Sequence, residues 1–174
     1  AGQEAAGRMI LSTNNRIVAV QGVAEQAASL LRPTAQILNE HGKQIIGLGV
    51  QNTLVRMLER ETGIPSMTLH RFLGRHRKLI EGSAGKAELS HARDAYRNTV
   101  LVLDEASMVS TRDQDRLVRL ANLLEVDRLV LMGDARQLGA VEAGKPFALA
   151  LASGTETARM DRNLRARSDT FVRE

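Results

Sequence analysis

The stretch Leu101-Val102-Leu103-Asp104-Glu105-Ala106-Ser107 decides the reading, together with Leu131-Met132-Gly133-Asp134-Ala135-Arg136-Gln137-Leu138 further along the chain. Each is an apolar, β-branched run that ends in acidic and small residues. Such runs read as buried parallel strands, and open α/β sheets present ligand-binding side chains at the carboxyl ends of those strands. The two are separated by about thirty residues, the length of one strand, helix and strand unit. Taken alone, Asp104 and Glu105 fit either of two roles. They can cap the next helix, or they can act as a pair in which one carboxylate holds Mg²⁺ and the other orients an attacking water. Gln137 carries an amide placed to sense a γ-phosphate, and Gly133 with Asp134 makes a sharp exit from the strand.

Order and spacing make the pattern specific. The DEAS and GDARQL segments resemble the Walker B motif and motif III of superfamily 1 helicases of the RecD-like branch, and Thr68-Leu69-His70-Arg71-Phe72-Leu73 is similar to that branch's TLHRFL-type segment. Within the branch, the chain resembles a segment of the conjugative relaxase/helicases. The resemblance covers nearly the whole chain, from the first strand to Asn163-Leu164-Arg165 at the place of the motif IV N-x-R element. It implies an α/β fold: a single RecA-like domain of the P-loop NTPase type spanning 1–174, with a parallel sheet flanked by helices, as in domain 1A of RecD. Residues 1–13 are expected to form a leading helix or linker, and the whole to be a piece of a larger multidomain protein. These helicases bind ATP between two such folds, and this chain has room for one.

The same resemblance locates the phosphate-binding loop and shows its loss. In the family the first strand runs into a sequence of the type Q-G-x-A-G-x-G-K-T. Here Ile17-Val18-Ala19-Val20 is followed by Gln21-Gly22-Val23-Ala24-Glu25-Gln26-Ala27-Ala28-Ser29. Gly22 survives, the two later glycines are Glu25 and Ala27, the lysine is Ala28, and the final Ser/Thr position is Ser29. Glycine is required where a loop must take positive φ and bring backbone N–H groups against phosphate. The lysine supplies charge to the β- and γ-phosphates. Glu25 instead puts a carboxylate where a polyanion would sit. The degenerate nucleotide site therefore comprises Gly22, Glu25, Ala27, Ala28, Ser29, Asp104, Glu105, Gln137 and Arg165. ATP and Mg²⁺ are expected to be lost as cofactors and the fragment not to be an enzyme. The family likeness gives Arg165 a γ-phosphate contact, whereas the bland alternative makes it one cation of the basic tail 159–173.

Composition agrees with one soluble domain. At 174 residues and 43% hydrophobic content the chain can bury a core. No apolar run approaches the ~20 residues of a membrane span, and no signal peptide is recognised. The Ala1-Gly2-Gln3 start reads as an internal boundary. The chain has no cysteine, which suits the cytoplasm, and its four histidines have no i, i+4 pair to suggest zinc. Apolar periodicity predicts strands over 16–20, 44–48, 99–103 and 128–132. Helices are expected over 4–11, 23–31, 34–41, 52–61, near 68–80, toward 96 and over 111–124, with Pro33 breaking or restarting the second and third. A Gly-Ser-Ala-Gly turn falls at 82–85.

The net charge of +4 is unevenly placed. Residues 66–98 hold seven Lys and Arg against three Asp and Glu, so the rest of the chain sums to zero. Such a cluster can be a solvated helix face or a phosphate-tracking surface. In the resembling helicases this region lies on the side that follows single-stranded DNA. The candidate nucleic-acid-binding residues are Thr68, His70, Arg71, Arg75, His76, Arg77 and Lys78. Arg71, Arg75 and Lys78 would share one face of a continuous helix. Aromatic residues make up 2% of the chain, so base stacking is scarce and Phe72 reads as core. Expected partners are single-stranded DNA and the relaxase and active helicase domains of the same polypeptide. A different class of function, a protein-interaction module read by type IV secretion proteins, fits the same family likeness. Membrane insertion is not expected.

Overall fold

The structure, a computed structural model, describes residues 16–21, 27–133 and 156–159, with backbone placement alone for 21, 27, 28 and 156–159. Six strands are ordered β3-β2-β4-β5-β1-β6. They are β1 (Ile17–Gln21), β2 (Gln44–Gly49), β3 (Ser66–Thr68), β4 (Thr99–Leu103), β5 (Arg128–Gly133) and β6 (Glu156–Arg159). Every pairing is parallel. Between them lie α1 (Ala27–Glu40), α2 (Asn52–Thr62), α3 (Leu69–Arg75), α4 (Arg77–Glu81), α5 (Lys86–Ala95) and α6 (Thr111–Leu124). The predicted helix over 4–11 lies outside the described residues.

Strand parity builds two cores. Leu101, Leu103, Leu129 and Leu131 pack with Phe72, Leu79, Tyr96 and Leu120 from α3 to α6 and the segment after α5. Their neighbours Val100, Val102, Val130 and Met132 pack on the other face with Leu31 and Leu38 of α1 and Leu58 of α2. Because side chains alternate across a strand, a sheet covered on both faces needs continuous apolar strands. β4, Thr-Val-Leu-Val-Leu, is buried at all five positions. Crossovers from β1 to β2 and from β2 to β3 run one way along the sheet; those from β3 to β4 and β4 to β5 run the other. Right-handed crossovers then put α1 and α2 opposite α3–α6.

Local signals set the ends of α6 where the sequence placed them. Ser110 Oγ accepts from the Asp113 N–H at 3.2 Å, Asp113 sits in the first turn, and Glu125 closes the helix in a left-handed conformation at φ 54°. α1 corrects the expectation of a break at Pro33: the helix runs through it. Pro33 and Ser29 face solvent, while Leu30, Leu31, Thr34 and Ala35 are buried. The N–H that proline lacks would have faced the Ser29 carbonyl four residues earlier, on the wet side of the helix, where water can satisfy it. Thr34 Oγ1 donates to the Leu30 carbonyl at 2.8 Å on the packed side.

The predicted helical stretch over 68–80 is also corrected. It is a three-residue strand followed by two helices that part at His76, whose φ is −111° and ψ 24°. β3 is too short and too evenly half-buried to show a period of two. No described helix is long and apolar enough to cross a membrane.

Leu120 is fully buried between the sheet and α6, whereas Ile37 is 39% exposed. Leu120→Ala is expected to lower unfolding stability by about 2–5 kcal/mol and Ile37→Ala by well under half of that, measured by urea denaturation.

Candidate functional site

Three strand ends meet at the carboxyl edge of the sheet. β1 pairs with β5 up to Gln21 opposite Gly133, and β4 pairs with β5 up to Leu103 opposite Leu131. The Asp104 N–H donates to the Leu48 carbonyl at 3.0 Å, which carries the β2–β4 ladder one residue beyond the strand. From there the chain turns sharply. Glu105 is left-handed at φ 52°, ψ 46°, and leads into a 3₁₀ turn over Ala106–Met108. A non-glycine residue held there costs about 1–2 kcal/mol, and such conformations persist where the surroundings over-determine them. Here the buried Ala106, Ser107 and Val109 pin the turn.

That turn lies against the end of β5. A Cβ at Gly133 would stand 3.3 Å from the Ser107 N and 3.5 Å from the Ala106 N. Glycine is thus required by the close approach of two segments thirty residues apart in sequence, an explanation different from the strand exit read from the motif. Nothing in the local sequence marks Ser107 as the neighbour of Gly133.

Asp104 is 5% exposed. Its Oδ1 accepts from the Glu105 N–H at 2.9 Å. Burial pushes its carboxyl up to about 6; that hydrogen bond acts the other way, and the adjacent Glu105 carboxylate adds to the rise. The side chain thus sits where a positive charge would stabilise it, as a Mg²⁺-holding aspartate does. Among the described residues no group of three or more His, Cys, Asp or Glu is assembled for a metal. Glu105 is half-buried beside it.

Of the remaining nucleotide-site residues, Ser29 lies exposed on α1, and Ala27 and Ala28 belong to the first turn of that helix. Gly22, Glu25, Gln137 and Arg165 lie outside the described residues.

The basic segment begins at the same edge of the sheet, because β3 ends at Thr68 and passes directly into α3. Thr68 is the N-cap of that helix: its Oγ1 accepts from the Arg71 N–H at 3.2 Å. His70, Arg71, Arg75, Arg77 and Lys78 are exposed, while Phe72 and Leu73 are buried under them. The expectation of a single face through Arg71, Arg75 and Lys78 is corrected. Arg71 and Arg75 share α3, but Lys78 belongs to α4, beyond the break at His76.

His76 points inward. Its Nε2 lies 2.8 Å from the Tyr96 hydroxyl, and its ring packs edge-on against Phe72 and Tyr96 with centroids 5.1 and 5.2 Å away. Burial, and then the charge of Arg75, lower its pKa from the ordinary histidine value. Arg77 pairs with Glu81 at 3.7 Å, Arg97 with Asp94 at 2.9 Å, and Arg93 donates to the Leu123 carbonyl at 2.9 Å. Among the described residues Arg71, Arg75, Lys78 and Lys86 form no ion pair. The His76–Tyr96 contact escapes sequence reasoning because it joins residues twenty positions apart.

The raised Asp104 pKa has a definite sign in stability. Below about pH 4 the carboxyl is protonated in both folded and unfolded chains and costs nothing. As pH rises toward 6 the unfolded chain ionises first, and stability falls. Asp104→Asn keeps an Oδ1 for the Glu105 N–H. It is expected to stabilise the fold at pH 7 by about 1–3 kcal/mol and to flatten the loss between pH 4 and 6 in urea titrations.

A family model described as an AAA domain matches residues 1–173. The multifunctional conjugation protein TraI of Escherichia coli (strain K12) is 32% identical over 153 residues, which cover 85% of this chain and 8% of that protein. The probable conjugal transfer protein TraA of Sinorhizobium fredii is 31% identical over 76% of the chain and 11% of its own length. The RecBCD enzyme subunit RecD of Mycolicibacterium smegmatis is 33% identical over 72% of the chain and 23% of its own length. The chain thus spans a small fraction of each relative. Among solved structures, the Pif1 helicase from Candida albicans superposes with a TM-score of 0.55 at 21% identity, over 91% of this chain and 39% of that one. The replication initiator DnaA bound to AMPPCP and single-stranded DNA gives 0.54 at 15% identity, over 91% and 44%. These two likenesses speak for the fold. With the match over residues 1–173, the parallel sheet and the strand-end aspartate, the chain belongs to the AAA domain family and is related to the RecD-like helicase segments of conjugation proteins.

Proposed function

We propose that this domain is a non-catalytic helicase-type domain that binds single-stranded DNA within a conjugative DNA-transfer protein, alongside the relaxase and active helicase domains of the same polypeptide. The observation that carries the proposal is the exposed basic surface of α3 and α4. Arg71, Arg75 and Lys78 form no ion pair among the described residues, and α3 is launched from the carboxyl edge of the sheet by the Thr68 cap. Unpaired guanidinium and ammonium groups attract phosphate without reading bases. The DnaA relative of similar fold is described with single-stranded DNA bound.

The surface would hold DNA by charge. Base stacking contributes little, because Phe72 and Tyr96 are buried in the core. His76 acts as a positioning residue rather than a contact: its bond to Tyr96 fixes the junction from which α3 and α4 diverge. Glu25, Ala27 and Ala28 replace the residues that a phosphate cradle needs, so the domain serves as a holding surface and not as a motor. The work of moving along DNA belongs to another domain of the full protein, in the cytoplasm.

Fluorescence anisotropy of a labelled single strand of about 20 nucleotides, without nucleotide and across a salt series, tests the DNA reading. With three or four phosphate contacts, log K is expected to fall against log salt with a slope of about −2 to −3. Reversing Arg71 and Arg75 to glutamate should abolish binding, whereas reversing Arg93, which is tied to Leu123 and Glu125, should leave most of it. Absence of binding at low salt would sink the DNA reading and point to a protein-interaction domain. Calorimetric titration with MgATP is expected to show no saturable uptake at micromolar concentration. Uptake that Asp104→Ala removes would overturn the non-catalytic assignment.

A further inference from the structure

Away from the carboxyl edge, α1, the end of α2 and the start of β2 enclose a groove of about 700 Å³. Its floor includes Ile45 and Ile64, and Arg32, Gln36, Asn39 and Arg60 stand along its sides. Of its described lining residues two are cationic and none is acidic.

The groove exposes an unfinished piece of sheet. β2 pairs with β4 from Gln44 to Leu48, but with β3 only from Gly47 to Gly49. The Gln44 N–H donates to the Asn98 carbonyl at 3.0 Å, and the Leu48 carbonyl accepts from Asp104, so the even-numbered residues of β2 direct their backbone groups at β4. The Gly47 N–H donates to the Pro65 carbonyl at 2.9 Å, so the odd-numbered residues face β3. Ile45 has the parity of Gly47, and its N–H and C=O therefore face the free edge.

Pro65 explains why β3 stops short. Extending the observed register by two residues sets Ile45 opposite Ile64, and the Ile45 carbonyl would then accept from the N–H of residue 65. Proline has none. One residue earlier, Gly63 is committed to closing α2 at φ 73°, its N–H bonded to the Glu59 carbonyl at 2.9 Å. The ladder cannot continue, and Gln44-Ile45-Ile46 is left as an edge with neither charge nor proline to guard it.

We propose that this edge is a docking site for an extended, acidic peptide strand of a partner protein, which pairs with Ile45 and sets its carboxylates against Arg32 and Arg60. The free N–H and C=O supply the main-chain pairing of strand addition. The two arginines stand on α1 and α2, the helices that cover a single face of the sheet, so they meet alternate residues of an added strand. A guanidinium binds carboxylate in a fixed, forked geometry. One donor of Arg32 is already held by the Glu61 carbonyl, which anchors the side chain and leaves its other N–H groups for a ligand. The apolar floor and the free amide fit a peptide better than a nucleic-acid backbone, which offers no N–H to the Ile45 carbonyl.

The test titrates the 174-residue chain with a fluorescein-labelled peptide of about eight residues alternating glutamate and valine, and follows backbone amide exchange by NMR. Saturable binding is expected, with slowed exchange at Ile45 and little change at Gln44 and Ile46, whose amides are already bonded to β4. A lysine-valine peptide should bind about tenfold more weakly, as should the glutamate peptide to the Arg32→Glu, Arg60→Glu double variant. Pro65→Ala restores the missing donor for Ile45 and should weaken peptide binding several-fold; a thermal melt confirms that it folds. No saturable binding, binding that leaves Ile45 exchange unchanged, or affinity indifferent to charge reversal or to Pro65→Ala would overturn the proposal. So would protection of Ile45 by a single strand of DNA in place of the peptide, which would make the groove a nucleic-acid surface.

Discussion

Everything in this fold depends on a sheet that is dry on both faces. A parallel sheet has no exposed side, so each central strand must be apolar at successive positions and each face must be roofed by helices. β4 meets that demand at all five residues, and the two cores on either side are built from its alternate side chains. Burial of that extent is the main stabilising term of the fold. It also holds the carboxyl ends of β1, β4 and β5 level with one another without any help from a ligand. The site frame is consequently a product of packing.

That frame carries unfavourable features that packing tolerates. Asp104 is a carboxylate with almost no access to water, raised to about 6 by that burial, and Glu105 is held left-handed next to it. In a nucleotide-binding relative these costs would be offset by a bound cation and its phosphate. Here residues 25, 27 and 28 no longer provide glycine or lysine, while the strand end keeps its aspartate. The two halves of the site have parted company because they rest on different physics. The loop depends on a few backbone conformations and one charge, each removed by a single substitution. The strand end is locked by the close approach of Gly133 to Ser107 and by the β2–β4 ladder through Asp104.

The basic surface owes its shape to a break. Had 68–80 formed one helix, its cations would have made a straight line. The division at His76 instead aims α3 and α4 differently while both still press Phe72, Leu73, Leu79 and Ile80 into the same core. The His76–Tyr96 bond and the edge-on rings around Phe72 hold the junction from beneath. Several arginines of the segment are spent on local partners, so the charge available to a polyanion is smaller than composition suggests. The unpaired edge of β2 follows from an equally local cause, one proline placed where the ladder needs a donor.

By itself the sequence determined the layered fold, four of the strands, α6 to the residue and the identity of the strand-end carboxylates. These are properties of short segments: apolar runs, capping serine and glycine, and motif order act through the residues that contain them. The same reading expected a break at Pro33 that the helix does not have, and a single face over 68–80 that it does not form. Only the tertiary structure decided those points, because water on the exposed side of α1 satisfies the carbonyl that proline abandons, and because Tyr96 reaches His76 from twenty residues away. It also decided which cations are free and which edge of β2 is open. Those outcomes depend on distances between segments remote in sequence, and no local pattern encodes a distance.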